Sequence, residues 1–159
     1  MAGRVLVTIP AAELLGYEDL TSLPEYVQFV SRVTGVPLDD RYPVFGRDAF
    51  RTGTGVHAAA IIKAKKKGSD WLADRVYSGV PAGMFGLKQI IEVGPMCGLS
   101  NVIYWLDEHG YPQEEALAQE MFHLAKSTNR ILTDDELHTC AKRWQEGDGR
   151  QAAVGSRQS

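Results

Sequence analysis

Apolar residues recur at helical spacing along most of the chain. Leu23, Tyr26, Val27, Val30 and Val33 follow one another every three or four positions, with Gln28, Ser31 and Arg32 between them. That period predicts an amphipathic helix. Ser22-Leu23-Pro24-Glu25 has the form of a capping box at its start, and Gly35 and Pro37 stop it. A second helix is expected from Val56 to Lys67, ended by Gly68, with Ala58-Ala59-Ala60 allowing close backbone approach. Ser69 is placed to cap a shorter helix containing Trp71, Leu72 and Val76. Ser100 or Asn101 caps a further helix through Leu106, ending at Gly110. Pro112 opens the next, with Leu117, Met121 and Leu124 on one face. Thr133-Asp134-Asp135-Glu136 is a second capping box, and the helix behind it presents Leu137, Ala141 and Trp144.

Between these helices the pattern changes. Pro37 to Gly55 reads as irregular, and Tyr77 to Gly98 is rich in glycine and proline. Within the latter, Lys88-Gln89-Ile90-Ile91-Glu92-Val93 is the best strand candidate. Near the start, Val5 to Ile9 is rich in β-branched residues and stays ambiguous, while Ala11 to Leu15, between Pro10 and Gly16, reads as a short helix. The stretch 147–159 is expected to be disordered. The expected fold is mainly α, a small helical bundle with a short β element near residues 87–93.

With 159 residues, one domain or two small lobes is the natural size. A chain this long buries roughly 70% of the surface its unfolded form exposes, without help from disulfides or metal. The two cysteines, Cys97 and Cys140, exclude a disulfide scaffold and a four-cysteine zinc site. A net charge of −3 gives no overall attraction to nucleic acid or to an anionic membrane. No apolar run reaches the roughly 18 residues of a membrane span, and Met1 to Ile9 is too short for a signal peptide. A soluble, cytoplasmic protein is expected.

Candidate chemistry is sparse, and each candidate has a plain structural account. Gly53-Thr54-Gly55-Val56-His57-Ala58 fits the dinucleotide pattern G-x-G-x-x-A, but that pattern needs a buried strand immediately upstream, which Arg47 to Thr52 does not resemble. Lys63, Lys65, Lys66 and Lys67 gather at a helix C-terminus, where cations complement the helix dipole. His138 and Cys140 are two residues apart and face different ways on a helix. No H-x-H, HExxH or CxxC occurs, so no metal is expected on this chain. His57 lies just inside a helix N-terminus after two glycines that leave backbone accessible, and histidine is the commonest acid/base near neutral pH. Read from the chain alone, a histidine packed in its own domain is the better account, because no other member of a catalytic set is visible.

Ala49-Phe50-Arg51-Thr52-Gly53-Thr54-Gly55-Val56-His57 nevertheless resembles the A-F-x-x-x-[ST]-G-[IV]-H motif of the 2-isopropylmalate/homocitrate/citramalate synthase family. The segment Val30-Ser31-Arg32-Val33-Thr34-Gly35-Val36-Pro37 is similar to that family's SRLTGIPV stretch. Tyr77, Pro81 and Gly86 resemble its tyrosine-proline-glycine stretch, and Gly94 to Gly98 occupies the place of its G-K-H-S-G motif. The similarity covers about residues 10 to 145. In that family this region follows a metal-dependent TIM barrel as a largely helical linker or communication region of two subdomains. The resemblance therefore implies a first subdomain at residues 10–68, carrying the histidine motif and leaning over a partner's barrel, and a second at 69–146. It also implies that His57 matches the catalytic histidine and that Tyr77 is tied to catalysis or its regulation.

Pro95-Met96-Cys97 replaces Lys-His-Ser in the loop, and the barrel, which takes about 200 to 250 residues, has no room in this chain. Condensing acetyl-CoA with a 2-oxo acid requires a thioester enolate and a polarised ketone. A divalent metal polarises the ketone in the complete enzyme, and a positioned acid/base is worth about 10²–10⁴-fold. Acetyl-CoA and the metal are thus implied for the complete enzyme, with no cofactor bound by this chain. The expected function is that of a communication region completing the active site of a TIM barrel, on the same or a partner polypeptide, within a homodimer and inactive alone. The alternative is a non-catalytic helical dimerisation or interaction module. Neither a membrane nor a nucleic-acid partner is expected.

Overall fold

The computed structural model describes residues 19–78 and 80–147. The readings at Val5 to Ile9, at Ala11 to Leu15 and of the tail beyond Gly147 lie outside the described residues. The described chain is mainly helical, as its spacing predicts. In order it forms α1 (Leu23–Thr34), β1 (Arg51–Thr52), α2 (Gly55–Lys66), α3 (Asp70–Ala73), a 3-10 turn (Ala82–Phe85), β2 (Ile90–Ile91), α4 (Leu99–Glu108), α5 (Glu115–Lys126) and α6 (Asp134–Gln145).

These elements form two compact units. One takes the chain up to Arg51 together with Asp70–Ile90, and the other takes Thr52–Ser69 together with the chain from Ile91 onward. The chain passes between them three times, so neither unit is a continuous stretch of sequence. The expected β element is present at Ile90–Ile91, which pairs with β1. Ile90 N–H donates to Phe50 O at 2.8 Å within the first unit, and Glu92 N–H donates to Thr52 O at 3.0 Å within the second. β2 is shorter than the apolar run suggested because β1 offers it only two residues, and Gly94-Pro95 turns the chain away.

The first unit is built on Leu20, Val44 and Phe85, with Leu23, Phe45, Phe50, Val80, Met84 and Leu87 packed around them. Phe45 and Phe85 meet edge to face with centroids 5.6 Å apart, an arrangement the ring quadrupoles favour. The Asp74 carboxylate accepts from Ala82 N–H and Gly83 N–H, both at 2.8 Å, and so starts the 3-10 turn. Gly35 ends α1 in the left-handed conformation, but the box expected at Ser22 does not form. Ser22 already has helical φ/ψ and no capping bond from its side chain. Asp19 takes up the entry instead, accepting from Thr21 N–H and Thr21 Oγ1. α1 buries none of its own residues.

The core of the second unit lies among α4, α5 and α6. Val102, Trp105, Leu106, Leu117, Met121, Leu137, Ala141 and Trp144 are its buried centre. Each fully buried large apolar side chain contributes about 1.5–3 kcal/mol. α2 packs on α4, burying Ala58, Ile61, Ile62 and Ala64. The box at Thr133 forms as expected. Thr133 Oγ1 accepts from Glu136 N–H, and the Glu136 carboxylate accepts from Thr133 N–H at 2.9 Å. The N-cap of α4 is Gly98 rather than Ser100 or Asn101.

Candidate functional site

His57 stands in the first turn of α2 and is exposed. What fixes this turn lies far away in sequence. Gly55 N–H, the first amide of α2, donates to Met96 O at 3.0 Å. A Cβ added to Gly55 would stand 2.6 Å from Gly98 N and 2.9 Å from Gly98 Cα. Only glycine permits such an approach. Gly53 has a similar relation to Ile131, whose Cδ1 would lie 3.3 Å from its added Cβ, and Gly94 a tighter one at 2.6 Å. The two glycine-bearing motifs therefore meet backbone to backbone inside one unit, leaving Val56 and Met96 as well as His57 at the surface.

Buried polar groups hold the receiving loop. Asn101 is fully buried. Its Oδ1 accepts from Gly98 N–H at 3.1 Å and its Nδ2 donates to Glu92 O at 2.9 Å. Cys97 N–H closes a turn onto Gly94 O at 2.9 Å. Lys126, at the end of α5, donates to Pro95 O and to Cys97 O, both at 2.7 Å. Sequence reasoning noticed Asn101 only as a possible cap and passed over Lys126. The paired glycines at 53/55 and 94/98 were the available signal for close backbone approach.

Tyr77 belongs to the first unit, follows α3 and is 63% exposed. Its φ of +59° is unusual for a residue with a side chain, but Val44 and Phe50 share that feature at +69° and +60°. Backbone strain therefore does not single Tyr77 out.

The remaining candidates have structural partners. Lys65 Nζ donates to Tyr104 OH at 2.5 Å and lies 4.9 Å from the centre of that ring, while Lys63, Lys66 and Lys67 are exposed. His138 Nδ1 and Tyr111 OH are 2.9 Å apart, in a cluster where the Trp105 ring stacks on His109 at 4.1 Å. Cys140 is buried beside Glu120. Burial, then the negative charge of Glu120, pushes its thiol up to about 11. It lines a cleft of about 580 Å³ between α5 and α6, with Glu120, His123, Thr139 and Arg143. The G-x-G-x-x-A stretch has β1 immediately upstream, but at two residues and without a buried side chain it is no dinucleotide-binding strand. Among the described residues, no three His, Cys, Asp or Glu side chains gather to hold a metal ion, and no helix is long and apolar enough to cross a membrane.

Comparison with known proteins gives a consistent set of relatives. The chain is 30% identical over 117 residues to a homocitrate synthase of Pyrococcus horikoshii, covering 74% of this chain and 30% of the relative. It is 31% identical over 98 residues to an (R)-citramalate synthase of Aquifex aeolicus, covering 62% and 17%. A protein named probable 2-isopropylmalate synthase, from Archaeoglobus fulgidus, is 26% identical over 126 residues, covering 74% and 23%. The matched region thus spans less than a third of each of these relatives. No family model matches the chain.

Proposed function

Since the chain belongs to the homocitrate, citramalate and 2-isopropylmalate synthase family through that family's C-terminal region, we propose that it is the communication region of an acyl-CoA-dependent 2-oxo-acid-condensing enzyme. In this role it lends His57 to an active site completed by a TIM barrel, on the same or a partner polypeptide. One observation carries the proposal. The His57 motif and the 94–98 loop, both picked out by their resemblance to the family, are seated on each other, and His57 is left exposed. The contacts that join the two motifs are largely backbone, and His57 brings an exposed imidazole to their junction.

The condensation takes one proton from the methyl carbon of the acetyl thioester. That carbon then forms a bond to the ketone carbon of the 2-oxo acid, and the former ketone oxygen gains a proton. An imidazole, with one nitrogen accepting while the other donates, serves either transfer. The exposed apolar face of α1 supports a second part of the proposal. Tyr26, Phe29, Val30 and Val33 are exposed among the described residues, and a barrel or a second copy of the chain would cover them. A homodimer in the cytoplasm, serving amino-acid biosynthesis such as that of leucine, completes the reading. Tyr77 is assigned an accessory part in catalysis or its regulation.

The same exposed face supports the rival reading, a helical dimerisation module without catalysis. The two separate on His57→Ala in the barrel-bearing enzyme. A catalytic His57 predicts a fall in kcat of about 10²–10⁴-fold, with the stability of this chain changed by no more than about 0.5 kcal/mol, as for other exposed positions. An unchanged kcat would leave the dimerisation module as the function.

A further inference from the structure

Three consecutive carbonyls, those of Pro95, Met96 and Cys97, are divided between two recipients. The outer two accept from the Lys126 ammonium, each at 2.7 Å. The middle one accepts from the first amide of α2, Gly55 N–H, at 3.0 Å. Pro95 and Met96 are the central residues of the turn that Cys97 N–H closes onto Gly94 O, and rigid neighbouring peptide planes are joined by only two soft dihedrals per residue, so a cation holding the outer pair also restrains the middle one. An ammonium has three donors and no acceptor, and its charge makes such bonds shorter and stronger than neutral ones. Lys126 is held in turn by its place at the end of α5 and by the Phe122 ring, 4.9 Å from its Nζ.

We propose that Lys126 is a positioning residue for His57: by fixing the carbonyls of Pro95 and Cys97 it aims the Met96 carbonyl that seats the first turn of α2, the turn that carries His57. Its catalytic consequence rests on the reading of His57 given above, but the geometric claim does not. A lysine serving only the helix dipole of α5 would leave α2 indifferent to its loss.

The test uses nuclear magnetic resonance of this chain with Lys126→Met, which keeps the aliphatic stem and removes the donors. Hydrogen exchange at the Gly55 amide is expected to quicken by about tenfold or more. The His57 ring resonances are expected to shift, while the amides of Ile61 and Ile62 keep their protection. Lys126→Arg is expected to restore both signals. Unchanged Gly55 exchange and unchanged His57 resonances in a folded Lys126→Met protein would overturn the proposal. Lys126→Gln, which keeps one neutral donor, carries the same readouts if the methionine variant does not fold.

In the barrel-bearing enzyme, Lys126→Met is expected to lower kcat by about tenfold, the order that a small misplacement of a reacting group costs. KM should stay within about twofold, and no further loss should appear on top of His57→Ala. An equal loss with and without His57 would overturn action through that residue. If His57→Ala alone leaves kcat intact, the catalytic reading fails, and the exchange at Gly55 still decides the positioning.

Discussion

Gly55 and Gly98 touch through their backbones: a Cβ on the first would lie 2.6 Å from the nitrogen of the second. Neither atom belongs to a flexible side chain, so relief would require the 94–98 loop or the start of α2 to shift. Gly55→Ala is therefore expected to destabilise the chain by about 1–3 kcal/mol, the usual cost of forcing extra volume into a packed site. The general gain in helix propensity from glycine to alanine, about 1 kcal/mol, would be outweighed. Denaturant midpoints for Gly55→Ala, with Gly68→Ala as a left-handed control at an open position, provide the check.

Asn101→Ala should cost about 2–3 kcal/mol. The change strands both the Gly98 N–H and the Glu92 carbonyl, and a buried group left without a partner costs about 1–3 kcal/mol. Asn101→Asp retains the acceptor but turns a carboxylate oxygen toward the Glu92 carbonyl, so it should be no better tolerated. Urea melts of the two variants test this, and a neutral Asn101→Ala would contradict the role assigned to the side chain.

Acid should loosen the start of α6 before the rest of its unit. Arg130 donates to both oxygens of Glu136, at 2.8 and 2.6 Å. That pairing, with the Thr133 N–H, lowers the Glu136 carboxyl from 4.5 to about 2. A carboxyl that is more acidic in the folded state adds stability in full above its unfolded value of 4.5, and that stability fades as pH falls toward the folded value of about 2. The pair is exposed, so salt should shrink the effect. Glu136→Gln is expected to flatten the pH dependence of stability between those limits, as followed by circular dichroism.

Cys140 should resist alkylation. With its thiol raised to about 11, only about one molecule in a thousand carries the reactive thiolate at pH 8. Iodoacetamide at that pH is expected to label Cys140 at least about a hundredfold more slowly in the native chain than after denaturation in urea. Peptide mass spectrometry reads the site directly, and equal rates would show the cleft beside α5 to be open to thiolate chemistry.

The chain should associate with itself, at least weakly, through α1. Tyr26 and Val33 are 61% and 68% exposed on the same helix as Phe29, and exposed apolar patches usually find cover. Light scattering at rising concentration should show a mass above the monomer, lowered by Val33→Asp. A strictly monomeric profile would count against it. Trp71 is exposed as well, whereas Phe45 and Phe50 pack against the core of the first unit.

The helices were legible because their signals are local. Thr133 and Glu136 sit three residues apart, so both halves of the cap can be read from one short stretch. The period of Leu23, Tyr26 and Val30 likewise announces α1, though it cannot say whether anything covers the resulting face. Ser22 shows the limit of such reading, since its competitor Asp19 lies only three residues away. Leu124 also matched the period of Leu117 and Met121 but is exposed, lining the cleft between α5 and α6. The site was readable only as two separate glycine motifs. Their meeting depends on distant backbone groups, on Asn101 and on Lys126, and none of these carries a periodic signature. The resemblance picked out His57, and what holds its helix emerged from the fold.

Neither unit is a continuous stretch of chain. The backbone passes from one to the other after Arg51, after Ser69 and after Ile90, so no single cut yields two pieces that each own a whole core. A cut after Arg51 severs the first unit, a cut after Ile90 severs the second, and a cut after Ser69 severs both. For exchange of parts between related enzymes, by recombination or by design, this region is therefore a single cassette: it must be moved entire, with joints outside it, and a chimera joined within it would inherit at least one divided core.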